Sequence, residues 1–211
     1  MIKTMIRVAI LAGAMTVALP AMAADWQQGT HYKVLDNPVR TDQADKIEVA
    51  EVFWYGCPHC YSFKPLSEEY ENNAPDYVDY VRLPAALGQS WEPHAYAFYA
   101  LQAMGELDTV HNALFEALVV ERRQLNTPEA LADFVAEHGV DADEFLKNYK
   151  SFGVNARMQQ AQAKIRGARV TGTPTVLVNG KYIVTASTAG SPQAAIEVVE
   201  YLVAQEHGDG E

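Results

Sequence analysis

Cys57 and Cys60 are the only two cysteines in this 211-residue chain, and they stand two residues apart in Cys57-Pro58-His59-Cys60. An apolar, β-branched run leads into them and helix-favouring sequence follows, so a strand must turn directly into a helix at this point. The first sulfur then sits at a helix N-terminus, where unpaired backbone N–H groups and the helix dipole favour a thiolate. A loop this short removes little entropy from the unfolded chain, so the pair is poorly placed as a stabilising staple. Redox chemistry on thiols fits the spacing better. A half zinc site is the competing reading, but no second Cys-x-x-Cys exists and zinc would then depend on scattered histidines. A haem attachment site is excluded, because Tyr61 stands where histidine is required.

The chain opens with Lys3 and Arg7, an apolar core over residues 8–19 and the small-residue ending Ala21-Met22-Ala23. Charge, length and ending predict a secretory signal peptide over residues 1–23, cleaved near Ala23-Ala24. A membrane anchor is the alternative, and it is weakened because the run falls short of the roughly 20 residues that span a bilayer. Export brings an oxidising compartment in which a disulfide persists. The formal net charge is −11, and cleavage removes two cations and no acid, leaving −13. That balance argues against nucleic-acid binding, which needs a basic footprint, and against anionic lipid surfaces. The remaining chain is long enough to bury a core without disulfides.

Residues 32–35 read as a short first strand and residues 46–55 as a central one, rich in β-branched and aromatic side chains. Residues 58–72 predict a helix opened by the cysteine motif, kinked at Pro65. Residues 77–83 predict another core strand. From about residue 89 to 169 the apolar period becomes helical, over 93–104, 107–122, 128–138, 143–149 and 155–166. Thr127 before Pro128 is an N-cap candidate, and Asp141 with Glu144 resembles a capping box. Strands return at 175–178 and 181–184 around an Asn179-Gly180 hairpin turn, and a helix over 193–204 closes the chain.

This β-β-α-β, helical insert, β-β-α order resembles the thioredoxin fold. The run Glu51-Val52-Phe53-Trp54-Tyr55-Gly56-Cys57-Pro58-His59-Cys60-Tyr61, the insert and Gly172-Thr173-Pro174-Thr175 resemble the DsbA family of periplasmic thiol oxidases. The likeness covers essentially the whole mature chain. It implies an α/β thioredoxin fold interrupted by an inserted α-helical domain. The thioredoxin parts would be residues 24–88 and 170–205, the insertion 89–169, and 206–211 a flexible tail.

The resemblance also implies roles. Cys57 would be the nucleophile and Cys60 its partner, with Pro58 and His59 inside the ring and His59 favouring the thiolate if cationic or bonded to the sulfur. An exposed histidine without effect is the plainer reading. Thr173-Pro174 would carry a cis bond packed against the disulfide, leaving the Thr173 backbone to pair with an extended substrate. Threonine here is more familiar in disulfide isomerases than in the oxidases, and its hydroxyl could bond a sulfur. Glu51 would be a buried acid exchanging a proton with Cys60. Family members often pair this acid with a lysine on the neighbouring strand, which here offers only Arg82, so its partner is unassigned. Trp54, Tyr55 and Tyr61 would border a groove for unfolded chains, with core packing as the competing account and the better one for Trp54. His94, His111 and His138 read as helical-surface residues.

The expected activity is donation of the Cys57–Cys60 disulfide to newly exported proteins by a monomer. Reoxidation would come from a quinone-linked inner-membrane partner of the DsbB type. No bound cofactor or metal is needed, because the cysteine pair is the redox group. A reductase or isomerase of the same fold, a chaperone and a metal-delivery protein using the dithiol as soft ligands are the alternatives.

Overall fold

Every residue of the strand Ile47–Phe53 (β2) is buried, which requires cover on both faces of its sheet. The computed structural model describes residues 26–208 and supplies that cover. The expected signal peptide, and residues 209–211 of the expected tail, lie outside the described residues. β2 pairs in parallel with Val78–Pro84 (β3) through the crossover helix Pro58–Asn73 (α1), with Glu51 opposite Arg82. On its other side β2 pairs antiparallel with Thr175–Val178 (β4), which turns at Asn179-Gly180 into Tyr182–Val184 (β5). Both turn residues have positive φ, 49° and 61°, as a tight hairpin of this kind requires. A Cβ on Gly180 would also lie 2.0 Å from the Val39 carbonyl oxygen, so only glycine fits. Lys33–Val34 (β1) completes the sheet in the order β1-β5-β4-β2-β3.

Side chains alternate across β2. Ile47, Val49 and Glu51 face α1 and the closing helix, while Ala50 and Val52 face the helical segment between β3 and β4. That segment comprises Glu92–Met104 (α2), Leu107–Phe115 (α3), Pro128–Glu137 (α4), Ala142–Tyr149 (α5) and Phe152–Gly167 (α6). Thr127 caps α4 through the Ala130 N–H, and Asp141 caps α5 through the Glu144 N–H. After β5 come the single turn Ala186–Ala189 (α7), absent from the sequence reading, and Pro192–Gly208 (α8).

Two expectations need correction. The helix expected over 107–122 leaves α geometry at Phe115 and widens into a π-helical turn over Glu116–Val120. Residues 206–208, expected to begin the tail, form the last turn of α8. Its Glu206 carboxylate accepts from the Tyr182 hydroxyl at 2.9 Å and is bonded by Lys181, which ties the turn to the hairpin. Pro65 sits inside α1 without ending it.

Candidate active site

β2 ends at Phe53, and the next four residues turn the chain into α1. The Cys57 N–H donates to the Trp54 carbonyl at 3.0 Å, and Tyr61 N–H donates to the Cys57 carbonyl as the first bond of the helix. Cys57 is therefore the N-cap, in extended conformation, with Pro58 at the first helical position. Its sulfur does what an N-cap oxygen does elsewhere: it accepts the Cys60 N–H, at 3.3 Å. The first turn carries no acidic side chain to oppose a negative charge there.

Both cysteines are free thiols, but their environments differ. Hydrogen bonding from Cys60 leads the effects that bring Cys57 down from 9.0 to about 5. Partial burial opposes it, and the Thr173 side chain and the backbone N–H groups of Cys60 and His59 assist. Cys60, fully buried on the inner face of α1, is pushed far up, first by burial and then by the neighbouring Cys57. One sulfur is thus set to hold a negative charge and the other a proton.

β4 starts beside the end of β2, with Thr175 opposite Val52, so the residues before it reach the cysteine motif. The Thr173–Pro174 peptide bond is cis. The Thr173 carbonyl oxygen lies 3.5 Å from Cys57 Sγ, within reach of the protonated thiol. Thr173 and Pro174 are half-buried, and Pro58 and His59 are exposed. His59 acts on the sulfur through its backbone N–H; its ring projects to solvent.

Glu51 is buried, and burial raises its carboxyl pKa. Its partner is Tyr80 on β3, whose hydroxyl donates to Glu51 Oε2 at 2.6 Å, with Arg82 and Ser67 also favouring the charged form. Arg82 lies over the Tyr80 ring and forms a two-pronged ion pair with Glu71 of α1. Ser67 follows Cys60 by seven residues on the buried stripe of α1, about 10 Å along the axis. Among the described residues no hydrogen bond joins Glu51 to Cys60. The acid is oriented toward the middle of α1 rather than toward the thiols.

Several residues beside the site were not legible as such. His94 and His111 are buried, not on a helix surface as expected. His94 accepts the indole N–H of Trp54 at 2.9 Å, and His111 shares a 2.6 Å hydrogen bond with the Tyr55 hydroxyl. Burial leads the fall of the His111 pKa to about 3, so it is neutral. Tyr55 is fully buried, which makes it core rather than groove; Trp54 is half-buried and stacked on Trp91 at 4.3 Å. Tyr61 donates to Glu116 at 2.6 Å and so joins α1 to the π-helical turn. On the opposite face of β2, Glu48 is buried in an ion pair with Lys164 of α6 at 2.7 Å. Among the described residues no three His, Cys, Asp or Glu side chains cluster as a metal site would require.

Comparison with known proteins agrees with this geometry. Residues 78–197 match the model of the DSBA-like thioredoxin domain. The Thiol:disulfide interchange protein DsbA of Pseudomonas aeruginosa is 42% identical over 204 residues, covering 97% of each chain. Its namesake from Azotobacter vinelandii is 41% identical, over 94% of this chain and 95% of its own. Among solved structures, crystalline Pseudomonas aeruginosa DsbA superposes with a TM-score of 0.85 at 43% identity, over 89% of this chain and 98% of that one. Oxidoreductase DsbA from Xylella fastidiosa gives 0.79 at 32% identity, over 84% and 96%.

Proposed function

Because this chain belongs to the DSBA-like thioredoxin family and is a thiol:disulfide oxidoreductase, we propose that it works as an oxidase, donating a Cys57–Cys60 disulfide to newly exported proteins in the periplasm. A substrate thiolate attacks Cys57 Sγ, the Cys57–Cys60 bond breaks, and Cys60 leaves with the electron pair and takes a proton. A second substrate thiolate then attacks the substrate sulfur of the mixed disulfide, and Cys57 leaves as a thiolate. Two thiols of the substrate have become a disulfide, and the enzyme's disulfide has become a dithiol.

The observation that carries this direction is the Cys57 sulfur at the α1 N-cap, accepting the Cys60 N–H while Cys60 itself is buried. A stabilised thiolate leaves readily, and stabilising the reduced form makes the disulfide a stronger oxidant. Thr173 works in the same direction, because its side chain also lowers Cys57. Glu51, buried and with a raised pKa, is the acid that exchanges a proton with Cys60, by relay rather than by direct contact, because its carboxyl is bonded to Tyr80. The half-buried Thr173 and Pro174 border the place where substrate backbone lies. Turnover requires reoxidation, for which a membrane-bound, quinone-linked partner of the DsbB type is suited, and the protein acts as a monomer.

Equilibration with glutathione buffers tests the direction. A potential near about −120 mV marks a disulfide donor; one near about −270 mV marks a reductant and overturns the reading.

A further inference from the structure

The turn between β2 and Cys57 is held from the side by a residue with no part in the chemistry described above. Trp54 N–H can only donate, so the 2.9 Å contact makes His94 Nδ1 the acceptor. The proton is then on Nε2, which donates to the Leu125 carbonyl at 3.0 Å. His94 is 2% exposed, and burial lowers its pKa, so the ring is neutral and both its nitrogens are occupied. Leu125 is itself buried, in the loop between the π-helical turn and α4. One imidazole therefore joins the redox turn to two separate parts of the helical segment, α2 and that loop.

The indole it holds is in turn packed against the motif. Trp54 stacks on Trp91 with the rings 3° from parallel. Its other neighbour is Gly56, where a Cβ would fall 2.4 Å from the indole, so the backbone immediately before Cys57 lies against the ring. The Trp54 backbone touches both thiols' surroundings: its carbonyl accepts the Cys57 N–H, and a backbone hydrogen bond from Trp54 favours the charged form of Cys60. Moving the indole moves the residue that fixes where both sulfurs sit.

We propose that His94 is a positioning residue for the redox centre, which fixes the Trp54 indole through Nδ1, and thereby the Gly56–Cys57 backbone that presents the sulfur to the α1 N-terminus. The inference rests on Cys57 being the sulfur that ionises, and not on the direction of electron flow. Hydrogen-bonding groups aimed at a charge lose their effect when their geometry loosens, so the thiolate is the sensitive reporter.

The test compares His94→Leu with His94→Gln in the purified protein. Glutamine can accept from the indole N–H with its oxygen and donate to Leu125 with its nitrogen; leucine can do neither. Thiolate absorbance during pH titration reads Cys57 directly, and glutathione equilibration reads the couple. Expected is a rise of about one pKa unit in His94→Leu, with a tenfold weaker oxidising equilibrium, about 30 mV, and near wild-type values in His94→Gln. A folded His94→Leu protein with an unchanged Cys57 titration overturns the proposal. So does His94→Gln departing as far as His94→Leu, since packing alone would then explain the effect. If His94→Leu does not fold, Trp54→Phe removes the indole donor instead, and an unshifted Cys57 titration there overturns it equally. A wild-type potential near that of a reductant would refute the oxidase reading while leaving this comparison intact.

Discussion

Tyr80 donates its hydroxyl to the buried carboxyl of Glu51 at 2.6 Å, across two neighbouring parallel strands. The register sets Glu51 beside Arg82, and the two-residue alternation of a strand returns Tyr80 to the same face. Arg82 is engaged by Glu71, so the acid's only close donor on β3 is an uncharged phenol. Burial and the neighbouring Glu51 carboxyl both raise the Tyr80 pKa, so its proton stays in place.

Replacing Tyr80 by phenylalanine should destabilise the fold by about 1–3 kcal/mol, the cost of leaving a buried polar group unpaired. The cost has a pH dependence. Because the folded-state pKa of Glu51 is raised above 4.5, its contribution to stability is complete below that value and is lost as pH rises through the folded pKa. The Tyr80 bond moderates this rise, so the variant should lose more stability at pH 8 than at pH 4. Urea denaturation at both values checks this, and an equal loss at both would contradict it.

Lys164 and Glu48 form the second buried polar contact of β2, on its opposite face. The two side chains are 10% and 1% exposed, and Glu48 also accepts the Asp42 N–H at 3.0 Å. Lys164→Met should cost about 3–5 kcal/mol, because it strands a carboxylate in the interior. Glu48→Leu combined with Lys164→Met should recover most of that loss, since apolar side chains of similar volume often replace a buried pair without penalty. Denaturant midpoints of the single and double variants decide it; a double variant no more stable than Lys164→Met would count against the account.

The contrast between Glu48 and Glu51 shows where sequence ran out. The strand Ile47–Phe53, the helix opened by Cys57 and the Asn179-Gly180 hairpin each follow from a local pattern, and the structure has them within a residue or two. The cysteine pair was legible for the same reason: its chemistry depends on four consecutive residues and one helix end. Tyr80, His94 and Lys164 were not. Each meets its partner across a strand pair or from a distant helix, 29, 40 and 116 residues away. Nothing local distinguishes a histidine buried on such a helix from one facing water. The family likeness named the acid at Glu51 but carried no donor to it, because the lysine it would have paired with is absent from this strand.

Thr173→Val tests the influence on Cys57 of the bend before β4. The Thr173 side chain lowers Cys57, whereas its carbonyl, 3.5 Å from the sulfur, can accept only from the protonated thiol. Removing the hydroxyl while keeping the shape should raise the Cys57 pKa by about one unit and weaken the oxidant about tenfold, roughly 30 mV. Thiolate absorbance and glutathione equilibration measure the two effects, and a shift in the opposite direction would show that the hydroxyl favours the protonated thiol instead.

The depressed Cys57 pKa makes the redox couple itself a pH reporter. With Cys57 at about 5 in the folded dithiol against 9.0 for an ordinary thiol, its charge stabilises the reduced protein fully above pH 9. That contribution diminishes as pH falls and is lost on passing through about 5. The reduced form should therefore outlast the oxidised one in urea by a margin that shrinks from pH 9 to pH 5. The potential carries the same information. Each proton taken up on reduction shifts a two-electron couple by about 30 mV per pH unit. Above pH 5 only Cys60 takes a proton, because burial holds its pKa far up, so the slope should be about 30 mV per unit. Below pH 5 Cys57 takes one too, and the slope should double. A break near pH 9 instead would mean that the α1 N-terminus does not hold the Cys57 thiolate.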